Sequence, residues 1–199
     1  KWYRPDLQGI VIVGDIDVDA VEAKLKTIFA DVQKAVNPAE RVYYPVADNK
    51  EPIVAIGTDK EVDDPSIEVY FKQDATPDSE KNNVGYLASQ YMTSMITSML
   101  NARLSELTQS ANPPFTRAYS SYGNFFVAKT KEALNLSASS KADGIEKALK
   151  VLLQEAERAR RFGFTESEYA RARANYLQRL ESAYNEREKT KHGSYVREY

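Results

Sequence analysis

An α+β fold, with a mainly antiparallel sheet covered by helices, is predicted by three features of the sequence. An unbroken branched run, Ile10-Val11-Ile12-Val13, leads through Gly14-Asp15-Ile16-Asp17 into an amphipathic segment. Two segments alternate apolar and polar residues at the period of a half-buried strand: Ile67, Val69 and Phe71 around Glu68 and Tyr70, and Leu134, Leu136 and Ala138 around Asn135 and Ser137. Three further stretches carry apolar residues at helical spacing.

Taken in order, Pro5 closes a preceding element by pushing Arg4 out of helical geometry. Four consecutive branched residues suit a strand covered on both faces, so Ile10–Val13 is expected at the centre of the sheet. Asp17 can accept the free amides of a first helical turn, and Val21, Leu25, Ile28 and Phe29 form the stripe of the helix it starts. Residues 32–50, interrupted by Pro38 and Pro45, read as a surface connection. Ile53–Gly57 reads as a short strand, Asp63-Asp64-Pro65 as a turn, and residues 67–72 as the partner strand.

Asp78 or Ser79 is expected to cap a long helix reaching about Leu107, with Val84, Leu87, Tyr91, Met95, Met99 and Leu100 along one side and small residues elsewhere. Asn112-Pro113-Pro114 ends it. Phe115 to Ala128 is extended, Lys129 to Glu132 turns, and residues 134–139 return antiparallel. Asp143 followed by Glu146 can form a capping box for a helix with Ile145, Leu149, Leu152, Leu153 and Ala156 inward, and Gly163 suits its left-handed end. Thr165 and Glu168 repeat the box for a helix reaching about Arg187, and the residues to Tyr199 read as a tail or linker.

Composition excludes several functions. The chain has 199 residues, 27 Lys+Arg against 29 Asp+Glu, one His and no Cys. Near-balanced charge gives no field for nucleic acid or an anionic membrane, and the later arginines, Arg158, Arg160, Arg161, Arg171, Arg173 and Arg179, are interleaved with glutamates as on an ordinary surface. No apolar run approaches the ~20 residues of a membrane helix. Asp15-x-Asp17-x-Asp19 opens like a calcium loop, but Ala20 and Lys26 stand where Gly and Glu belong, so helix capping is favoured. Gly9 to Gly14 lacks the dinucleotide fingerprint, and its aspartates would repel a pyrophosphate. With His192 as sole histidine and no thiol, the chain cannot close a zinc hydrolase site or a Ser-His-Asp arrangement. No catalytic residue, metal ligand or cofactor site is therefore assigned. The abrupt start at Lys1-Trp2-Tyr3 suggests a piece of something longer.

The order of landmarks is informative. Tyr3-Arg4-Pro5-Asp6, Ile10 to Asp17, a helix ending at Phe29, a long helix followed by Arg103-Leu104, Ala118-Tyr119-Ser120 and Phe164 to Glu168 together resemble the non-catalytic second domain of the insulinase/pitrilysin family of zinc peptidases, which includes the mitochondrial processing peptidases. The resemblance implies an insulinase-like repeat unit over residues 1–187 and a linker or helical tail over 188–199. It implies a parent that binds zinc through H-x-x-E-H on another domain, a motif absent here. The implied partners are other domains of the same parent chain and a peptide or unfolded protein substrate, without nucleic acid or membrane. The implied setting is periplasmic or secreted.

The resemblance also implies a substrate contact: some domains of this type place an Arg at the end of the long-helix motif and a Tyr shortly after it, both against substrate backbone. Tyr119 stands at the Tyr position, while the Arg position falls on Thr108. The bland alternative for Tyr119 is a sheet residue packed under the long helix. A non-enzymatic scaffold subunit of the same family and an unrelated small-ligand-binding α/β domain, with a deep apolar pocket near Gly14, are the competing readings of the chain.

Overall fold

The computed structural model describes residues 4–33, 35–62 and 64–197; Tyr3 and Asp63, used above as landmarks, lie outside them. Among the described residues there are five α-helices and three strands: α1 (Val18–Ile28), β1 (Ser66–Asp74), α2 (Val84–Thr108), β2 (Arg117–Asn124), β3 (Lys131–Ser139), α3 (Ile145–Phe162), α4 (Glu166–Asn185) and α5 (His192–Val196). The chain divides into two compact units, residues 43–177 and residues 1–42 with 178–199.

The larger unit holds the sheet, antiparallel throughout in the order β1-β3-β2. Period-two alternation and the register put Ile67 and Val69 of β1, Leu136 and Ala138 of β3, and Ala118 and Ser120 of β2 on one face. Leu100 and Leu104 of α2, Ala148 and Leu152 of α3, and Phe115 pack there with Leu136 and Ala138 as the main core. A second cluster joins Met95 and Met99 of α2 to Ala172 of α4, and Phe164 packs against both.

Two local devices hold α2 on the sheet. Asn101 reaches the outer edge of β2: its Oδ1 accepts from the Ser120 N–H (2.5 Å) and its Nδ2 donates to the Ser120 carbonyl (3.0 Å). One side-chain amide thus replaces a neighbouring strand at an edge position. Ser120 itself is buried and donates through its hydroxyl to the Thr97 carbonyl (3.3 Å). At the far end of α3, Gly163 has φ +66°, a conformation open to glycine, as its place at a helix end predicts.

Several sequence expectations need correction. Ile10–Val13 is not a strand: Ile10, Val11 and Ile12 are 56%, 44% and 47% exposed, in a unit whose described elements are helical, so no strand ladder is present for them to join. Ile53–Gly57 is likewise unpaired and exposed. The turn before β3 ends earlier than read, because Lys131 and Glu132 already pair with Asp74 and Gln73.

The helix boundaries also differ. Asn83, not Asp78 or Ser79, caps α2 by accepting from Tyr86 N–H (2.9 Å), while Asp78 pairs with Lys81 (2.8 Å) in a preceding 3-10 turn. Gly144 stands at the start of α3 because the Lys141 carbonyl accepts from Gly144 N–H (2.8 Å), and this tight turn leaves no side-chain cap for Asp143 to supply. Val84 and Leu87 of α2, and Ile145, Leu149 and Leu153 of α3, are exposed rather than inward. The capping box of α4 is present: Thr165 Oγ1 accepts from Glu168 N–H (3.3 Å), and Glu168 Oε2 accepts from Thr165 N–H (2.7 Å).

Asn101→Ala leaves both Ser120 backbone groups without their partner. Urea unfolding of the variant is expected to show a loss of about 1–3 kcal/mol, the cost of unmet buried hydrogen bonds.

Candidate functional site

Tyr119 lies on the sheet face turned away from α2, since its neighbour Ser120 points at the helix and successive strand side chains alternate. It is 46% exposed, so it does not pack under the long helix. Ser137 of β3 sits beside it in register, and Glu68 of β1 lies on the far side of Ser137. The Tyr70 hydroxyl donates to Glu68 Oε2 by a short hydrogen bond. Burial, then this bond, then the nearby Glu68 charge and Tyr119 push the Tyr70 phenol up to about 12. The Tyr70 ring meets Phe125 edge-on (5.4 Å) and Phe126 at a tilt (5.0 Å) in the β2–β3 turn.

Toward the other end of the same face, Lys131 is buried and bridges Asp48 and Asp74, each at 2.6 Å. Lys72 Nζ donates to the Ala47 carbonyl (2.9 Å). Residues 47–48 are thereby tied to the sheet, and Tyr119 is left on the open part of the face. The surface offers a half-exposed phenol, a carboxylate and small polar side chains, which can bind and orient an extended chain through hydrogen bonds.

The other sequence candidates are placed as follows. Thr108 is the last residue of α2 and donates from Oγ1 to the Ser105 carbonyl (2.7 Å), a bond within its own helix end. Asp17 caps α1 by accepting from Ala20 N–H (3.0 Å), as the capping reading expects. His192 is exposed at the start of α5. Among the described residues no group of three or more His, Cys, Asp or Glu could hold a metal ion, and a lone imidazole does not fit the ligand demand of a zinc site. Also among them, no helix is long and apolar enough to cross a membrane.

Sequence reasoning did not join Arg103 to Glu168. Arg103 is buried: Nε donates to Glu168 Oε1 (2.5 Å), and Nη2 to Glu168 Oε2 (3.0 Å) and the Gly163 carbonyl (3.0 Å). Its guanidinium lies 4.5 Å from the Phe164 ring centroid. The signal was available, because Arg103 is the first charged residue of α2 and a cation on a helix seated in the core needs a counter-charge. The Arg103 hydrogen bonds, aided by the Thr165 N–H and hydroxyl and opposed by burial, hold the Glu168 carboxyl down at about 2.

The chain matches the family described as the peptidase M16 inactive domain over residues 1–176, and it belongs to that family. It is similar to a protein of Arabidopsis thaliana named zinc protease PQQL-like, 26% identical over 200 residues that include 100% of this chain and 18% of the relative. The chain therefore spans about a fifth of the length of that curated relative.

Its fold is similar to that of the periplasmic protease PqqL from Escherichia coli, with TM-score 0.75 and 21% identity over 91% of this chain and 19% of the other. A structure of the first half of that protease gives TM-score 0.71 and 19% identity, with 91% and 38% covered. A structure described as a predicted insulinase family protease from Yersinia pestis gives TM-score 0.73 and 11% identity, with 93% and 39% covered. The expected α+β insulinase-like architecture is therefore present.

Glu168 supplies a pH test. Its folded value lies below the ordinary 4.5, so the stability it contributes is complete above about pH 4.5 and is lost as pH falls toward about 2. Urea midpoints across that window should fall less steeply in Glu168→Gln than in the parent chain. Glu157, also held near 2 but by exposed Arg160 and Arg161, should change little on Glu157→Gln.

Proposed function

We propose that the chain, over residues 1–187, is the non-catalytic domain of a zinc metalloendopeptidase, with 188–199 leading on as a linker or helical tail. It packs beside the domain that carries the zinc and forms part of the wall of the peptide-substrate chamber, where Tyr119 contacts an extended peptide or unfolded protein. The observation that carries this reading is membership of an inactive-domain family, in a chain with a single histidine and no cysteine that aligns with a fifth of a protein named as a zinc protease. The half-exposed phenol of Tyr119 on the helix-free face supports the substrate contact.

Zinc belongs to the other domain in this reading, and no step of hydrolysis passes through the residues described here. Their task is to bind and orient. The setting proposed with it is periplasmic or secreted, as the Escherichia coli protein of similar fold is described.

The test uses the full-length protein. Peptide cleavage should be abolished by a chelator and restored by zinc, and the 199-residue chain alone should not cleave. Tyr119→Phe should raise KM by roughly three- to tenfold, the loss of one hydrogen bond, with zinc content and melting temperature unchanged. An unchanged KM removes Tyr119 from the substrate surface. A full-length protein that lacks H-x-x-E-H and cleaves nothing returns the scaffold reading.

A further inference from the structure

The turn between β2 and β3 is built against local preference. Phe125-Phe126-Val127-Ala128 is apolar throughout, where a hairpin turn ordinarily carries Gly, Asn or Asp. Among the described residues the non-glycine positions with positive φ are Asn37 (47°) and Phe126 (52°). Asparagine tolerates that conformation. A bulky aromatic residue there is strained and persists only where its surroundings impose it.

Those surroundings lie on the sheet face that carries Tyr119. Ala128 N–H donates to the Phe125 carbonyl (3.0 Å) and Phe125 N–H to the Lys131 carbonyl (2.9 Å), which closes the turn. The adjoining row of the face, Gly123, Ala133 and Lys72, holds two small residues, so the turn can fold back over it. Phe126 reaches the Tyr70 ring at 5.0 Å, and Phe125 meets Tyr70 (5.4 Å) and Phe126 (4.8 Å) edge-on. Lys72 Nζ stands 5.6 Å from the Phe125 ring centroid. All of these residues belong to the unit of residues 43–177, which by itself leaves Phe126 at least 66% exposed.

A turn that served stability alone would place glycine at this φ. Here the strain holds an aromatic ring beside Tyr70, on the same face as Tyr119. Tyr119 and Tyr70 stand two strands apart and one side-chain repeat apart along the strands, about 12 Å, or three to four residues of an extended chain. The small polar side chains of Ser121 and Asn135 lie in the Tyr70 row between them.

We propose that Tyr70, Phe125 and Phe126 form a subsite for one bulky apolar side chain of the extended peptide held at Tyr119. This rests on the reading of that face as a substrate surface, and it names which side chain the surface selects.

The experiment measures fluorescence anisotropy of the full-length protein with two fluorescein-labelled peptides, each of 14 Ala, Ser and Gly residues except that one has Phe at its centre. Readings are taken at early times, with the peptides verified intact by mass spectrometry. The Phe peptide should bind about tenfold tighter than its Ala counterpart, the effect of partly burying one aromatic side chain. Phe126→Gly, which adopts this φ freely, and Phe126→Asn, which tolerates it, should reduce the ratio to about twofold or less. Val127→Ser in the same turn should leave it unchanged, and Tyr119→Phe should weaken both peptides alike. Equal binding of the two peptides by the parent protein overturns the proposal, as does a ratio that survives both Phe126 substitutions. The affinities need no peptidase activity. A protein that shows the expected ratios but cuts nothing contradicts the peptidase reading and supports the subsite.

Discussion

One buried ion pair fixes how the helices stand on the sheet. The Arg103 guanidinium places both ends of its fork on Glu168, adds the Gly163 carbonyl, and stacks on Phe164. Glu168 is also the residue that closes the capping box at the start of α4. The carboxylate that begins one helix is thus the counter-ion of another. Removing either partner leaves an uncompensated charge in a buried site, which is far costlier than losing an exposed pair. Phe164, held against the guanidinium, packs against both apolar clusters. Core and ion pair therefore reinforce each other at the α3–α4 turn.

The functional reading follows from where this joint lies. It gathers the helices on the face made by Ile67, Leu136 and Ala118, and Asn101 extends the hold to the outer edge of β2. The opposite face keeps Tyr119 half exposed, beside Ser137 and across from the Tyr70–Glu68 pair.

Local patterns in the sequence were legible where the physics is local. The alternation in β1 and β3 puts one set of side chains in the core, and the register in the structure agrees. Thr165 and Glu168 announce their helix because a capping box needs only residues three apart. Gly163 announces the preceding helix end because few other residues tolerate its φ. Patterns that depend on distant partners were not legible. Ile10–Val13 has the composition of a central strand, but composition does not supply a neighbouring ladder. Asp78 and Asp143 are good caps by type, yet a short 3-10 turn and a tight turn place Asn83 and Gly144 at the boundaries. Arg103 and Glu168 are 65 positions apart and are joined only in the fold.

A double-mutant cycle over Arg103→Met and Glu168→Leu, read by urea unfolding, tests the joint most directly. If the pair is the constraint, each single variant loses about 3 kcal/mol or more, and the double variant is little worse than either or recovers part of the loss. Costs that add to within about 0.5 kcal/mol would show two independent residues and contradict it.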